Sequence, residues 1–324
     1  MDSRVAAELA AYDRTDAEFV DAMFRLVLRR EPDPEASERA LTKLADGTLS
    51  RATLVHELTG SEESERVRQL DDAVVLGLGA RQRRERIRWL QAPPATDERV
   101  VEIPWVLSRL RTEGRLLEVG YAYAEPAYLG GLLRAGVELV GVDLATRDIE
   151  GMETVVADVR ELPFADESFD QILLVSTLEH VGADNTVYGL GAEADAGSRH
   201  AALRELGRVL RRGGSLLVTV PLGEPGDHGW FRQEDEPGWT TLFAEAGFFV
   251  EEIEAYELTG EGWRAAPAFV SDGVRYGERG PGASAVLCVD LSPGRLRRLL
   301  TPSGLATTTK RRLRSLRHRA RENG

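Results

Sequence analysis

Cysteine is almost absent from this sequence. Cys288 is the single cysteine, so no disulfide can form within the chain, and a small disulfide-stabilised secreted domain is excluded. Cys288 lies in the apolar run 285–289, which predicts a residue in a buried strand.

Long apolar runs and a secretory leader are also lacking. Residues 1–4 do not begin a basic region followed by an apolar core, and no stretch is long enough to span a bilayer. Together with the low cysteine content, this predicts a cytoplasmic protein. The chain has 324 residues and 42% hydrophobic content, which is enough for a full core and about two domains.

Negative charge outnumbers positive charge outside the C-terminal segment. The formal net charge is −13; residues 294–324 carry ten arginines and lysines against one glutamate, so the rest of the chain carries −22. An acidic body repels phosphate backbones, and we therefore expect no nucleic acid partner. The basic tail can contact an acidic partner or a membrane surface, although a solvated, partly helical tail is the favoured interpretation.

Four segments are predicted along the chain: a helical module over residues 1–70, a connecting helix and linker over 71–95, an α/β domain over 96–292, and the basic tail over 293–324. In the first, Thr15 and Glu18 form a capping-box pattern. Asp33 and Pro34 begin a second helix, and Ser50 and Ser61 each begin a further short one.

Apolar strands alternate with helical segments from residue 115 onward. The predicted strands cover residues 115–120, 138–143, 153–157, 169–176, 215–220, 248–255 and 283–291, and residues 203–214 predict a helix and turn leading into the fifth strand. Such alternation predicts a parallel sheet with helices on both faces. Ligands of such sheets bind beyond the carboxyl ends of the strands.

Acidic and small residues follow the first two strands. Gly120 allows a tight turn, and Asp143 comes twenty-three residues later, close to the spacing at which a carboxylate accepts ribose hydroxyls. Glu118 and Glu125 disfavour a diphosphate at this loop and favour a cationic ligand. Ala122 is small enough for a ligand to approach closely.

This order of strands and residues resembles the class I S-adenosylmethionine-dependent methyltransferases, as do the runs 163–170 and 203–214. The resemblance implies a Rossmann-like sheet, mostly parallel with an antiparallel last strand, preceded by a small all-helical domain. It implies S-adenosylmethionine as cofactor and an adenine amino group bound by Asp158. The implied cofactor contacts are Glu118, Gly120, Ala122, Asp143, Leu144, Asp158, Val159 and Ser176. The first loop, residues 118–125, departs from the family's glycine-rich pattern.

A second resemblance concerns the N-terminal segment. Residues 24–34, 47–50 and 61–63 resemble a small bacterial helical module of unknown function. That family often accompanies surface-polysaccharide and secreted proteins. The resemblance implies a packing or interaction domain and names no chemistry.

Candidate acid–base groups follow the fourth and fifth strands. An oxygen acceptor loses its proton as it attacks a methyl group, and a histidine can take that proton. His180 and His228 are therefore the candidate bases, although in the family a Glu-His pair at this place often only shapes the site. Glu179 with both histidines also offers a ligand set for a divalent ion. A related RNA-methylating group carries a further glutamate where this chain has Ser176, so we predict no metal.

Aromatic residues suggest the acceptor only loosely. Five of them can line an acceptor pocket or belong to the core: Tyr188, Trp230, Phe231, Trp239 and Trp263. The predicted function is O-methylation of a sugar, glycan or natural-product hydroxyl in a bacterial pathway such as polysaccharide biosynthesis. The alternative is a non-catalytic, methyltransferase-like binding or scaffold protein.

Overall fold

The computed structural model describes residues 14–88, 90–93, 96–189, 195, 197–267 and 273–294. From residue 295 on, the predicted basic tail lies outside these residues. Chain contacts divide the protein into two compact units. The first comprises the described residues up to Leu110, with Tyr123–Gly136 and Thr259–Trp263; the second comprises Arg111–Ala122, Val137–Leu258 and the described residues from Arg264 on.

The first unit is helical. Its elements are α1 (Asp16–Met23, continued by a π-helical turn Phe24–Leu28), α2 (Pro34–Ala45), α3 (Arg51–Thr59), α4 (Glu62–Gln82), a short strand β1 (Gln91–Ala92), α5 (Arg99–Leu107) and α6 (Pro126–Arg134). The predicted capping box of Thr15 and Glu18 is present, and the Asp33, Ser50 and Ser61 side chains cap α2, α3 and α4. The apolar stripe of α1 packs into a core with residues of α2 and α3.

Helix α4 corrects one prediction. Ser61 does not begin a short helix followed by a separate connecting helix; a single helix of 21 residues runs from Glu62 to Gln82. The helix continues through Gly77, where the absence of a side chain lets α5 pack closely against α4. A Cβ atom there would lie 2.7 Å from Leu107 Cβ and 2.9 Å from Pro104 Cα, so α4 and α5 are in backbone-close contact.

The second unit contains the sheet. Its strands are β2 (Arg115–Val119), β3 (Glu138–Asp143), β4 (Glu153–Val156), β5 (Phe169–Val175), β6 (Leu210–Pro221), β9 (Phe248–Thr259, whose last residue belongs to the first unit), β10 (Gly262–Ala266, whose first two residues belong to the first unit) and β11 (Ala285–Pro293), with a separate hairpin of β7 (Gly226–Asp227) and β8 (Arg232–Gln233). Among the sheet strands named here, the order is β10, β9, β11, β6, β5, β2, β3, β4. Helices α7 (Ser198–Val209) and α8 (Glu236–Glu245) contribute to its core.

The strand pairing confirms the predicted fold class. β2, β3, β4, β5 and β6 pair in parallel. The apolar runs of β2, β3, β5 and β6 are largely buried, as parallel strands covered on both faces require, whereas the edge strand β4 is partly exposed. The last strand, β11, is antiparallel to both β6 and β9. Cys288 lies in β11 and is fully buried, as predicted.

The segment before the fifth parallel strand is another correction. The predicted helix and turn over residues 203–214 ends earlier, at Val209, and β6 begins at Leu210. Leu210 has an extended backbone and pairs with Phe169 of β5. The pairing draws these residues into the sheet before the turn at Gly213, which has a positive φ of 76°.

Within the described residues, no helix combines the length and apolar character that crossing a bilayer would require.

Candidate functional site

Gly120 ends β2 with a backbone conformation that suits glycine alone. Its φ is +88°, in the left-handed region that side chains disfavour. Its N–H donates to the Val142 carbonyl at 2.9 Å. A Cβ atom at this position would lie 2.5 Å from Thr177 Oγ1. Glycine is therefore required at this turn for two reasons: the positive φ, and the close approach of Thr177.

Asp143, at the end of β3, ties two loops together. Its Oδ2 accepts a hydrogen bond from the Ala122 N–H at 3.0 Å, and its Oδ1 accepts one from the Ala145 N–H, also at 3.0 Å. Each carboxylate oxygen has a second lone pair. The carboxylate can therefore hold the loop and still accept hydrogen bonds from a ligand.

Tyr121 explains why the first loop can depart from a glycine-rich sequence. The side chain is fully buried, and its ring lies against the backbone of β3 at Gly141, where a Cβ atom would come within 2.8 Å of ring atom Cδ1. The Arg147 guanidinium also donates to the Ala122 carbonyl at 3.3 Å. The Tyr121 ring packed under the loop thus fixes the path of the backbone. A glycine-rich loop would instead follow its path through the conformational freedom of its glycines.

Sequence reasoning missed the pairing of Tyr121 with Gly141, although a glycine inside a strand is a recognised sign of close approach.

Leu144 and Glu118 occupy opposite environments: Leu144, directly after Asp143, is 46% exposed, whereas Glu118 lies within β2 and is 1% exposed. An exposed apolar side chain beside a carboxylate suits a ligand with an apolar ring and a sugar. The ligand contact predicted for Glu118 stays a prediction.

Asp158 follows β4 and is held by Arg160. Its two oxygens accept hydrogen bonds from Arg160 Nε at 3.0 Å each, and Oδ2 accepts one from Nη2 at 2.6 Å. The hydrogen bond from the Arg160 side chain lowers the pKa of Asp158 against the opposing effect of burial, and the Arg160 backbone N–H adds to the lowering. Asp158 is thus a charged acceptor that an adenine amino group would share with Arg160. Its neighbour Val159 packs on the core.

Ser176 closes β5 in a strained conformation. Its φ is +41°, which is uncommon for a residue with a side chain and costs of order 1 kcal/mol. The N–H of Ser176 donates to the Thr219 carbonyl at 3.0 Å and to Thr219 Oγ1 at 3.1 Å. Such strain often accompanies a functional site, and Ser176 lies at the carboxyl end of the sheet, where Gly120 and Asp143 also lie.

His180 is oriented by a backbone carbonyl. Its Nδ1 lies 2.9 Å from the Trp230 carbonyl oxygen, which can only accept, so Nδ1 carries the hydrogen. The neutral ring therefore presents its lone pair on Nε2, which lies 3.9 Å from Glu179 Oε1. This is the tautomer that lets Nε2 act as a base.

Both candidate histidines belong to one group of rings, here called the aromatic cluster: His180, Tyr188, His228, Trp230, Phe231 and Tyr276. His180 stacks on Trp230 with ring centroids 5.1 Å apart, and His228 stacks on Phe231 at 4.4 Å. Tyr276 contacts Phe231 at 4.4 Å; sequence reasoning did not single it out, and nothing in its local sequence marks it.

Two aromatic residues offered as pocket walls belong to cores instead. Trp239 is fully buried on α8 and donates from Nε1 to the Pro221 carbonyl at 2.9 Å. Trp263 is 1% exposed in the helical unit and donates to the Thr96 carbonyl. Each indole N–H is paired with a backbone carbonyl, as buried tryptophans require.

Two arginines that adjoin members of the aromatic cluster in sequence are paired with carboxylates. Arg232 Nη2 lies 3.3 Å from Asp227 Oδ2, and Arg275 Nε lies 2.8 Å from Glu224 Oε2. Within the described residues, no group of three or more histidine, cysteine, aspartate or glutamate side chains is arranged to hold a metal ion.

Comparisons with known proteins agree with this architecture. Residues 117–218 match a family described as a methyltransferase domain, and residues 1–67 match a domain of unknown function, DUF4214. A tRNA (carboxymethyluridine(34)-5-O)-methyltransferase from Arabidopsis thaliana is 28% identical over 169 residues, which are 50% of this chain and 36% of that protein. The chain thus spans about a third of the length of this curated relative.

Two solved structures are also similar. One is an S-adenosylmethionine-dependent methyltransferase from Methanosarcina mazei, with 15% identity, a TM-score of 0.41, and coverage of 59% of this chain and 97% of the other. The second is a 1,6-didemethyltoxoflavin-N1-methyltransferase from Burkholderia thailandensis, determined with bound 1,6-didemethyltoxoflavin and S-adenosylhomocysteine. It has 15% identity, a TM-score of 0.41, and coverage of 88% and 92%.

The packing of Tyr121 generates a prediction. We expect Gly141→Ala to destabilise the fold by about 1–3 kcal/mol, because the added Cβ forces Tyr121 or Met152 to move. Tyr121→Phe is the matched control: it keeps the ring and removes only the hydroxyl, so its cost stays below about 1 kcal/mol. Urea unfolding of both variants measures the difference; equal stability of Gly141→Ala and the wild type would contradict this account of the loop.

Proposed function

Because residues 117–218 form a class I S-adenosylmethionine-dependent methyltransferase domain, we propose that this protein transfers a methyl group to a hydroxyl oxygen of a sugar, a glycan or a natural product. The observation that carries the proposal is the shared position of Asp143, Ser176 and His180. All three lie at the carboxyl ends of parallel strands β3 and β5. That edge is where open α/β sheets bind ligands.

The residues at this edge suit S-adenosylmethionine. Asp143 keeps lone pairs for the two ribose hydroxyls while its oxygens hold Ala122 and Ala145. Leu144 offers an exposed apolar surface to the adenine ring, and Asp158, held charged by Arg160, offers an acceptor to the adenine amino group. When bound, this cofactor supplies a methyl group on a sulfonium sulfur, and transfer leaves a neutral thioether. The acidic body of the protein attracts its positive charge.

His180 has the base role in this proposal. His180 Nε2 would take the proton of the acceptor hydroxyl during methyl transfer, while Nδ1–H would stay hydrogen-bonded to the Trp230 carbonyl. The ring then carries the positive charge, close to the Glu179 carboxylate at 3.9 Å. His228 is exposed and stacked on Phe231, a position that suits acceptor binding better than proton transfer.

The surroundings of His180 favour an uncharged acceptor with a flat or sugar-like face. Trp230, Tyr188 and Tyr276 offer ring faces and polar tips, which suit stacking and hydroxyl hydrogen bonds. Arg232 and Arg275, which adjoin the cluster in sequence, are already engaged by Asp227 and Glu224. A phosphate-rich acceptor would have to displace those pairs. A tRNA acceptor, which the name of the Arabidopsis relative suggests, is therefore not our first proposal.

Cofactor binding is the first test. We expect the wild type to bind S-adenosylhomocysteine in isothermal titration calorimetry, and Asp143→Asn to weaken binding at least about tenfold, a loss of about 1.4 kcal/mol. The matched control is Asp148→Asn, which removes an exposed carboxylate nearby in sequence and should leave the affinity unchanged. Absence of binding by the wild type would favour the alternative, a non-catalytic methyltransferase-like protein.

Turnover is the second test. With an acceptor found by screening nucleotide sugars, glycan intermediates, phenols and tRNA, we expect His180→Ala to lower kcat by about 10²–10⁴-fold with unchanged cofactor affinity, because a positioned base is removed. His228→Ala should mainly raise the KM for the acceptor. Full activity of His180→Ala would refute its role as base, and turnover of tRNA alone would refute the proposed acceptor class.

A further inference from the structure

Helix α4 contacts α6. In the chain, α6 follows residues 120–125, here called the cofactor loop. A Cβ atom at Gly131 of α6 would lie 3.0 Å from Val74 Cγ1 of α4, so the two helices are closely packed. At the C-terminal end of α6, the Arg81 guanidinium donates to the Ala135 carbonyl at 3.0 Å. One end of α6 is therefore tied to α4 by a hydrogen bond to its last turn.

The N-terminal end of α6 is tied to α4 by charge. Arg66 Nη2 donates to Glu125 Oε1 at 2.5 Å and to Asp97 Oδ2 at 2.7 Å. The two carboxylate side chains are 24% and 21% exposed, so water and salt screen them less than an ordinary surface pair. Arg66 thus holds two carboxylates in a partly buried site.

Glu125 has a particular place in the chain. It is the N-cap residue of α6, yet its side chain makes no capping hydrogen bond to its own helix; its carboxylate accepts from Arg66 instead. It also ends the loop that begins at Gly120, and Ala122 in that loop is held by Asp143. The segment is therefore fixed near its start by Asp143 and at its end by Arg66.

We infer that Arg66 is a positioning residue for the cofactor loop and that the N-terminal domain of unknown function, which ends at residue 67, is needed for full cofactor affinity. This inference rests on the proposed cofactor site. Releasing Glu125 frees the downstream end of the loop, and binding then has to restore its order, which lowers affinity without touching any ligand contact.

The test measures S-adenosylhomocysteine affinity in the full-length protein by calorimetry, with circular dichroism to confirm folding. We expect Arg66→Glu to raise Kd about fivefold or more, the lower range of coupling between sites. The reversed pair, Arg66→Glu with Glu125→Arg, should recover most of the loss. Arg68→Glu is the matched control. Arg68 lies on the same helix, and among the described residues its hydrogen bonds go to Thr59 of α3 and to Ser64 and Glu65 of α4. The Kd of this variant should therefore equal that of the wild type.

Two further outcomes decide against the inference. If Arg66→Glu and Arg66→Met lower the thermal midpoint but bind with wild-type Kd, the arginine is only structural. Arg66→Met keeps an apolar stem at this position, so the test does not depend on one variant folding. If the wild type itself fails to bind S-adenosylhomocysteine, the proposed function is refuted together with this inference. If the wild type binds and the Arg66 variants bind with the same Kd, only this inference is refuted.

Discussion

The hydrogen bonds from Ala122 and Ala145 to the Asp143 carboxylate hold the loop after β2 against the end of β3. A single side chain thereby fixes the path of the chain at the point where a cofactor would bind, and it keeps lone pairs free for that cofactor. The neighbouring features follow from this arrangement. Gly120 turns with positive φ just before Ala122, and Tyr121 fills the space beneath the turn because Gly141 has no side chain.

A second constraint acts around His180. The Trp230 carbonyl fixes the tautomer of its ring, and the aromatic cluster fixes the ring plane. The strands that carry these groups, β5 and β6, are neighbours in the parallel part of the sheet, so their loops meet without any long-range rearrangement. The orientation of the His180 ring thus depends on a hydrogen bond to a backbone group, which substitutions of surface residues would leave intact.

Much of this architecture could be predicted because it is local. Some features leave a signal within a few residues of the sequence. Examples are the strand Glu138–Asp143 with its final acid, and the helix caps Thr15 and Asp33. The features that escaped prediction depend on partners distant in sequence: Gly141 under Tyr121, Tyr276 against Phe231, Arg66 with Glu125, and Leu210 paired with Phe169. A single sequence reports side-chain character and spacing, but it does not report which distant residues pack together.

The most direct measurement is a crystal structure of the protein with S-adenosylhomocysteine. We expect both ribose hydroxyls to donate to Asp143 at hydrogen-bond distance, with the adenine ring against Leu144 and the thioether sulfur on the side of the sheet edge that carries His180. A ligand bound elsewhere, or a ribose with no contact to Asp143, would contradict the central claim that this carboxylate organises both the loop and the cofactor.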